Sequence, residues 1–191
     1  MFFIAIMLTA AVRVAIGVGQ MPLVNCMPLT AIAFSSSACL GRRHDWLVPV
    51  LVLVASDVVL NVHFCEPVIG SWTIVSLLCL TVFALAGRWV TSRRSVLLMV
   101  SGSLACTIAF YLVSNTVCFV ISPDYPPGFA GWVQALTVGL PGYPPTWMFL
   151  RNSLIGDLSY TLVLISVLSW QRARVGLPAV PFWPVRGLEP A

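Results

Sequence analysis

Six apolar segments follow one another along the chain, each close to the length of a membrane-crossing helix. An α-helix rises 1.5 Å per residue, so roughly 20 apolar residues cross a hydrocarbon core of about 30 Å. The pattern predicts an all-α integral membrane bundle of about six transmembrane helices. The predicted spans cover residues 2–18, 23–40, 46–62, 71–89, 96–121 and 146–170.

Two segments differ from a plain apolar span. The second span contains Asn25, Pro28 and three serines at 35–37, a polarity that favours a helix buried among its neighbours. Residues 128–140, before the last span, are apolar but too short to cross the bilayer, and prolines stand on both sides of them. We expect this segment to lie at the membrane interface or to dip in and return.

Composition supports one membrane domain. The chain is 59% hydrophobic and 8% charged, with a mean hydropathy of +0.98, which excludes an ordinary soluble domain. Residues 1–172 are predicted to form the membrane domain, and the Pro-rich residues 173–191 a disordered cytoplasmic tail. No basic run with interleaved aromatics is present, so we expect membrane lipids and no nucleic acid as partners.

The arginines predict the orientation. With both chain ends in the cytoplasm, every arginine except Arg13 and Arg151 falls on the inner side, and the outer connections carry only Glu66 and Asp124 as strong charges. An odd number of spans would break this agreement.

Polar and ionisable residues inside the spans are the candidates for function, because burying such side chains in a membrane is costly. Arg13, Asp57 and Asn115 lie roughly 8–9 Å below the outer ends of their spans, and Asp157 lies roughly 17 Å deep, near mid-membrane. The predicted pocket therefore opens outward. The candidate substrate-binding residues are Arg13, Asn25, Asp57, Asn115, Asn152, Asp157 and Tyr160.

The last span has a polar and an apolar face by helical angle. We expect the polar face, which includes Asp157 and Ser159, to face the bundle, and the apolar face, which includes Leu158 and Ile165, to face lipid. Asp157 has no obvious cation partner in its own helix, so the prediction gives it a role in binding a ligand or a proton.

Alternatives stay open for the other candidates. Arg13 and Asp57 either form a structural ion pair or contact ligand, and the asparagines either hold helices together or orient a ligand. On the face of the first span opposite Arg13, Ala11 and Ala15 form a small-residue stripe that is predicted to dock a partner helix.

No catalytic, metal or cofactor site is predicted. The chain lacks a Cys-x-x-Cys pair, a Gly-x-Ser-x-Gly motif and a His-Glu-x-x-His motif, and His63, Cys65 and Glu66 have no second ligand cluster. A disulfide among Cys26, Cys65 and Cys118, all toward the outer side, stays open.

Several short motifs together resemble a known group of proteins. They are Asn25-x-x-Pro28-Leu29-Thr30-Ala31, Pro49, Ser56-Asp57, Ser114-Asn115, Tyr125-Pro126 and Arg151-Asn152-Ser153-Leu154-x-Gly156-Asp157. In order and spacing they resemble an uncharacterised family of bacterial six-span membrane proteins. That family is similar to the substrate-capture (S) components of energy-coupling-factor transporters for vitamins and micronutrients.

The resemblance implies a fold and a function. It implies an S-component-like six-helix fold in the bacterial inner membrane, with a small-molecule substrate near the outer face. It also implies a transmembrane coupling subunit with cytoplasmic ATPases as partner. The N-terminus lacks the histidine of the nickel and cobalt members, and the substrate is not identified. The sequence thus predicts a substrate-binding subunit, with a structural or assembly protein as the alternative.

Overall fold

The structure, a computed structural model, describes residues 14–15, 29–40, 47–65, 71–90 and 95–184. Within these ranges the fold is all helical, as the apolar pattern predicts. The first predicted span lies outside them except for Val14 and Ala15, which are helical. The described helices are α1 (Leu29–Leu40), α2 (Leu47–His63), α3 (Ser71–Val90), α4 (Val96–Ile121), α5 (Phe129–Leu136) and α6 (Thr146–Arg174).

Three of these helices, α3, α4 and α6, are long and apolar enough to cross a membrane, and α2 is a shorter apolar helix. Each long helix turns large apolar side chains outward, where lipid replaces water as the favourable surroundings. The outward stripe on α3 consists of Ile74, Leu78, Val82, Leu85 and Trp89. The membrane character predicted from composition is therefore supported, while the count of six spans and the orientation stay predictions.

Helix α1 occupies the centre of the described bundle and packs on α2, α3, α4 and α6. Every side chain from Thr30 to Ser35 is buried, on all sides of the helix. For residues 30–35 this confirms the prediction that the second apolar segment is buried among its neighbours; residues 23–28 of that segment lie outside the described residues.

Glycines allow α1 to approach two of its neighbours closely. A Cβ placed on Gly87 of α3 would overlap the carbonyl oxygen of Phe34, and one placed on Gly102 of α4 would overlap the ring of Phe34. Phe34 also joins Leu53, Leu80 and other apolar side chains in a buried core cluster. Close packing at Phe34 therefore fixes α1 against α3 and α4.

Helix α5 lies alongside the last turns of α4. The Trp132 indole N–H donates to the Thr116 hydroxyl at 3.0 Å, and the Tyr111 hydroxyl donates to the Leu136 carbonyl. Eight residues span only about 12 Å, so this helix does not cross the bundle from end to end.

The chain after α6 folds back onto the start of α4. The N–H groups of Val96 and Leu97 donate to the carbonyls of Pro181 (2.9 Å) and Phe182 (3.2 Å). The N-cap Ser95 accepts from the Leu98 N–H, so the first turn of α4 is well satisfied. The predicted disordered tail is, over residues 175–184, an irregular segment with these contacts, and residues 185–191 lie outside the described residues.

Candidate functional site

A buried carboxylate joins three helices in the interior of the bundle. Asp157 of α6 is 1% exposed. Its Oδ1 accepts the Ala31 N–H at 3.1 Å, and its Oδ2 accepts the Thr107 hydroxyl of α4 at 2.5 Å and the Thr30 hydroxyl of α1. We call these four residues the carboxylate cluster.

The position of α1 explains why a carboxylate is stable there. Thr30 and Ala31 lie at the beginning of the described part of α1, and both donate to the carboxylate, Thr30 from its hydroxyl and Ala31 from its backbone N–H. Asp157 therefore satisfies an N–H group of α1 from outside the helix and offsets part of its own desolvation.

The hydroxyls of the cluster can serve two protonation states. Thr30 Oγ1 and Thr107 Oγ1 are 3.1 Å apart, and Thr107 Oγ1 also lies 3.0 Å from the Ser103 carbonyl. A hydroxyl has one hydrogen to donate. Both hydroxyls can donate to a charged carboxylate. A neutral carboxylic acid could instead donate to Thr107 while Thr107 donates to Ser103.

Polar contacts continue one turn further between α4 and α6. The Thr161 hydroxyl donates to the Ser103 hydroxyl at 3.0 Å, and both residues are fully buried. Beyond them, Met99 packs with Ile165. The seam between α4 and α6 thus changes from polar at the carboxylate cluster to apolar toward the end of α6.

The predicted faces of α6 were wrong in two places. Ile165, expected to face lipid, is buried, and Ser159, expected to face the bundle, is exposed. The buried residues Asp157, Thr161 and Ile165 are four apart, and each step of four turns about 40° around a helix. The contact stripe therefore winds around α6, and one fixed face does not describe it.

The remaining candidates of α4 and α6 make local contacts. Asn152 is buried, and its Oδ1 accepts two hydrogen bonds, at 3.2 and 3.1 Å, from Arg151. The Arg151 guanidinium also lies 5.5 Å from the centre of the Trp147 ring. Asn115 donates its amide hydrogen to the Tyr111 carbonyl of its own helix at 2.8 Å.

The structure only partly describes the other candidates. Tyr160 and Asp57 are half-buried, and Asp57 lies on α2, which packs on α1 and α3. Ala15 is helical and exposed. The residues Arg13, Asn25 and Ala11 lie outside the described residues. Their roles stay predictions.

Sequence reasoning did not identify the partners of Asp157. Thr30 stands within one of the motifs that carry the resemblance, but the sequence pattern does not distinguish it as a site residue. Ser103 and Thr107 are four residues apart in an apolar span, which places both hydroxyls on one side of α4. That spacing was the available signal, although single hydroxyls barely change the hydropathy of a span.

Four cysteines, Cys65, Cys79, Cys106 and Cys118, are free thiols. Cys65 and Cys118 are free, so they are not bonded to each other, and Cys26 lies outside the described residues. Cys106 is buried in the apolar core cluster, as expected for a thiol inside a span.

Comparison with known proteins identifies one family. Residues 1–180 match the model of DUF6580, a family of unknown function. Neither the comparison with curated proteins nor that with solved structures finds a match.

Proposed function

The chain belongs to the DUF6580 family of unknown function, and we propose that it is the substrate-binding membrane subunit of a small-molecule uptake system. Its ligand would reach the carboxylate cluster from the outward side of the bundle. The protein would bind its ligand and hand it on, without catalysing a reaction.

The observation that carries this proposal is the meeting of Asp157 with Thr30 and Ala31 of α1. By helical rise, Asp157 lies about 17 Å from the start of α6, near the middle of a membrane-crossing helix. Many transporters bind substrates at this depth, where short helices begin and their first turns face anionic groups. The backbone N–H of Ala31 beside Asp157 resembles that arrangement, with a carboxylate of the chain itself as the anion.

Each candidate residue has a defined part in the proposal. Asp157 accepts a hydrogen bond or a proton from the ligand. The hydroxyls of Thr30 and Thr107 then rotate to match the protonation state of Asp157. Arg13 faces an anionic group of the ligand or balances Asp57. The amides of Asn25, Asn115 and Asn152 fix the orientation of the ligand, with Tyr160 as a further contact.

The wider assembly is proposed from the sequence. The arginine distribution supports six spans with both chain ends in the cytoplasm. The ordered motifs support an S-component-like subunit of the bacterial inner membrane. Such a subunit would dock a transmembrane coupling subunit, driven by cytoplasmic ATPases, through the stripe of Ala11 and Ala15.

A purely structural role is the second candidate, and one observation favours it. The carboxylate of Asp157 already accepts three hydrogen bonds from α1 and α4. These bonds hold three helices together, as interhelical polar contacts do in many membrane proteins. Under this alternative the cluster binds nothing and only stabilises the bundle.

Two variants separate the candidates. Asp157→Asn keeps the shape of the side chain but removes its charge, whereas Thr161→Val removes a buried interhelical hydrogen bond one turn away. The purified variants in nanodiscs would be compared by mass spectrometry of co-purifying small molecules and by thermal unfolding. We expect a small molecule to accompany the wild-type chain and Thr161→Val, and to be lost, by about tenfold or more, from Asp157→Asn.

The structural alternative predicts a different result. Both variants would then change only the unfolding temperature, and no small molecule would distinguish them. If the wild-type chain carries no small molecule and Asp157→Asn matches it in an uptake or growth assay, the binding function is wrong.

A further inference from the structure

The last turns of α6 and the segment after it carry basic and aromatic side chains at one end of the bundle, where the Arg172 Nε donates to the Pro178 carbonyl and the Val180 N–H donates to the Ser169 hydroxyl. What we call the basic collar consists of Arg172, Arg174, Phe182 and Trp183. The carbonyls of Pro181 and Phe182 hold this segment on the first turn of α4. The collar is therefore fixed against the ends of two long helices.

The lengths of those helices place the collar at the depth of lipid headgroups. With 26 residues, α4 is about 39 Å long, and with 29 residues α6 is about 44 Å long. Both exceed a hydrocarbon core of about 30 Å, so their ends extend several ångströms into the headgroup layer. The collar lies at such an end.

The aromatic side chains of the collar are turned outward. Phe182 is 57% exposed and Trp183 is 64% exposed, and their rings meet edge to face with centroids 5.2 Å apart. Trp170, in the last turns of α6, is also exposed. Tryptophan and other aromatic side chains prefer the boundary between headgroups and acyl chains, because that layer suits a ring with a polar edge.

The two arginines are held but keep donors for an anion. Arg172 donates from Nε to the Pro178 carbonyl at 2.8 Å, which uses one of its five N–H donors. The Arg174 guanidinium lies 3.9 Å from the centre of the Trp170 ring, a stacked geometry that leaves its edge accessible. Residues 158–184 contain no acidic residue to neutralise them.

We propose that the basic collar is a binding site for an anionic membrane phospholipid. The guanidinium groups of Arg172 and Arg174 bind the phosphate oxygens, where planar paired donors fit well. Phe182 and Trp183 insert at the boundary with the acyl chains of the same lipid. The outward aromatic rings favour a lipid over a free anion, because a free anion offers them no apolar surroundings.

The bound lipid would stabilise the fold at a distance from the carboxylate cluster. It bridges the end of α6 and the segment that satisfies the first turn of α4. Those two helices also carry Asp157 and Thr107. This inference does not depend on the proposed uptake function, because the basic collar lies at the end of α6 and the carboxylate cluster lies near its middle.

The test uses the full chain in phosphatidylcholine nanodiscs with and without phosphatidylglycerol. Native mass spectrometry measures retained phosphatidylglycerol, and thermal unfolding measures its stabilising effect. We expect Arg174→Gln to weaken retention about fivefold, which corresponds to the contribution of one basic residue near a charged membrane surface. Arg174→Lys should retain part of the binding, and Trp183→Ala should weaken it without a change in charge.

Two controls make the result decisive. Arg151→Gln, at the start of α6, should leave retention unchanged. Each variant should unfold like the wild type in phosphatidylcholine alone, which separates lost binding from lost folding. If Arg174→Gln and Arg151→Gln act equally, or if Arg174→Gln and Trp183→Ala both retain the lipid fully, the site is wrong. Full displacement by an equal concentration of inorganic phosphate would also overturn the lipid as occupant.

Discussion

The four residues of the carboxylate cluster show how an apolar helix keeps an acidic side chain. Replacing Asp157 by alanine would leave the Ala31 N–H without its acceptor. The two hydroxyls keep acceptors, because Thr30 can donate to Thr107 Oγ1 at 3.1 Å while Thr107 donates to the Ser103 carbonyl. A buried donor without a partner costs about 1–3 kcal/mol, so we expect Asp157→Ala to lower the free energy of unfolding in mild detergent by roughly 1–3 kcal/mol.

Asp157→Asn should cost much less, because its amide oxygen still accepts the Ala31 N–H and its amide nitrogen can face the two hydroxyls. Ser159→Ala, on an exposed position of the same helix, serves as the control and should change little. If asparagine proved as destabilising as alanine, the charge of the carboxylate would matter more than its hydrogen bonds.

A second residue, Tyr125, should make the folded protein less stable as the pH rises into the alkaline range. It lies in the connection between α4 and α5, where burial raises the pKa of its hydroxyl, and the neighbouring Cys118 and Asp124 raise it further. A pKa raised in the folded state means that the stabilising contribution is complete below about pH 10 and is lost as the pH rises through the folded value.

The variant Tyr125→Phe should therefore lose less stability than the wild type between about pH 9 and pH 12. Thermal unfolding across this range measures the effect. The control Tyr143→Phe changes an exposed tyrosine and should follow the wild type. Equal slopes for all three chains would contradict the prediction.

At the scale of single helices, the sequence predicts bounds better than contacts. The predicted span 96–121 coincides with α4, because Arg93 and Arg94 precede its apolar run and Pro123 follows it. The contacts of Asp157 depend on how each helix is rotated about its axis. Hydropathy averages over a whole turn, so it does not contain the rotation that brings Thr30 and Thr107 together.

The contact between α1 and α3 gives a prediction about a single methyl group. Gly87→Ala places a Cβ on the carbonyl oxygen of Phe34, and α1 cannot retreat because other helices surround it. Alanine gains about 1 kcal/mol over glycine in helix propensity, whereas overpacking a core costs about 1–3 kcal/mol. Since the clash meets backbone, we expect the steric cost to win and the unfolding temperature to fall.

The matched control for this contact is Leu85→Ala, which shortens an exposed side chain of the same helix and should have little effect on stability in detergent. A Gly87→Ala chain more stable than the wild type would show that helix propensity wins, and that α1 and α3 are further apart than the structure indicates.

The attachment of α5 to α4 gives another prediction for this scale. Tyr111→Phe removes the hydroxyl that binds the Leu136 carbonyl at the end of α5. One lost hydrogen bond of about 1 kcal/mol should speed local opening roughly fivefold, which hydrogen exchange of the α5 amides measures. Thr137→Val is the control, because its hydroxyl binds only the Val133 carbonyl of its own turn. Equal exchange in both variants would mean that α5 does not depend on Tyr111.

At the scale of the whole molecule, the described helices bury polar side chains beside the apolar core and expose large apolar side chains on their outer surface. Asp157, Thr107, Ser103 and Thr161 are buried, while Leu78 is 65% exposed on the surface of α3. In water this distribution would leave large apolar surfaces exposed and would be unstable. In a bilayer it is favourable on both counts, since lipid covers the apolar surface and the interior satisfies the polar groups.

The described contacts show which helix ends lie on the same side of the bundle. Gly87, near the end of α3, contacts Phe34, whose ring meets Gly102 in the first half of α4. The end of α3 and the start of α4 therefore lie on one side, with the segment after α6. Cys65, which follows α2, is exposed and belongs to the connection that leads to the start of α3, on the other side.

Because the arginines predict that the end of α6 is cytoplasmic, a chain with Cys65 as its sole cysteine should react with a membrane-impermeant maleimide on intact cells. A chain with Ala173→Cys as its sole cysteine should react only after permeabilisation, since Ala173 is exposed in the last turn of α6. Labelling of both sites on intact cells would contradict placement on opposite sides of the membrane. If the labelling pattern of the two sites were reversed, the bundle would be unchanged but the basic collar would lie on the outer side of the membrane. The same arginines determine the orientation and therefore the lipid leaflet that the collar meets.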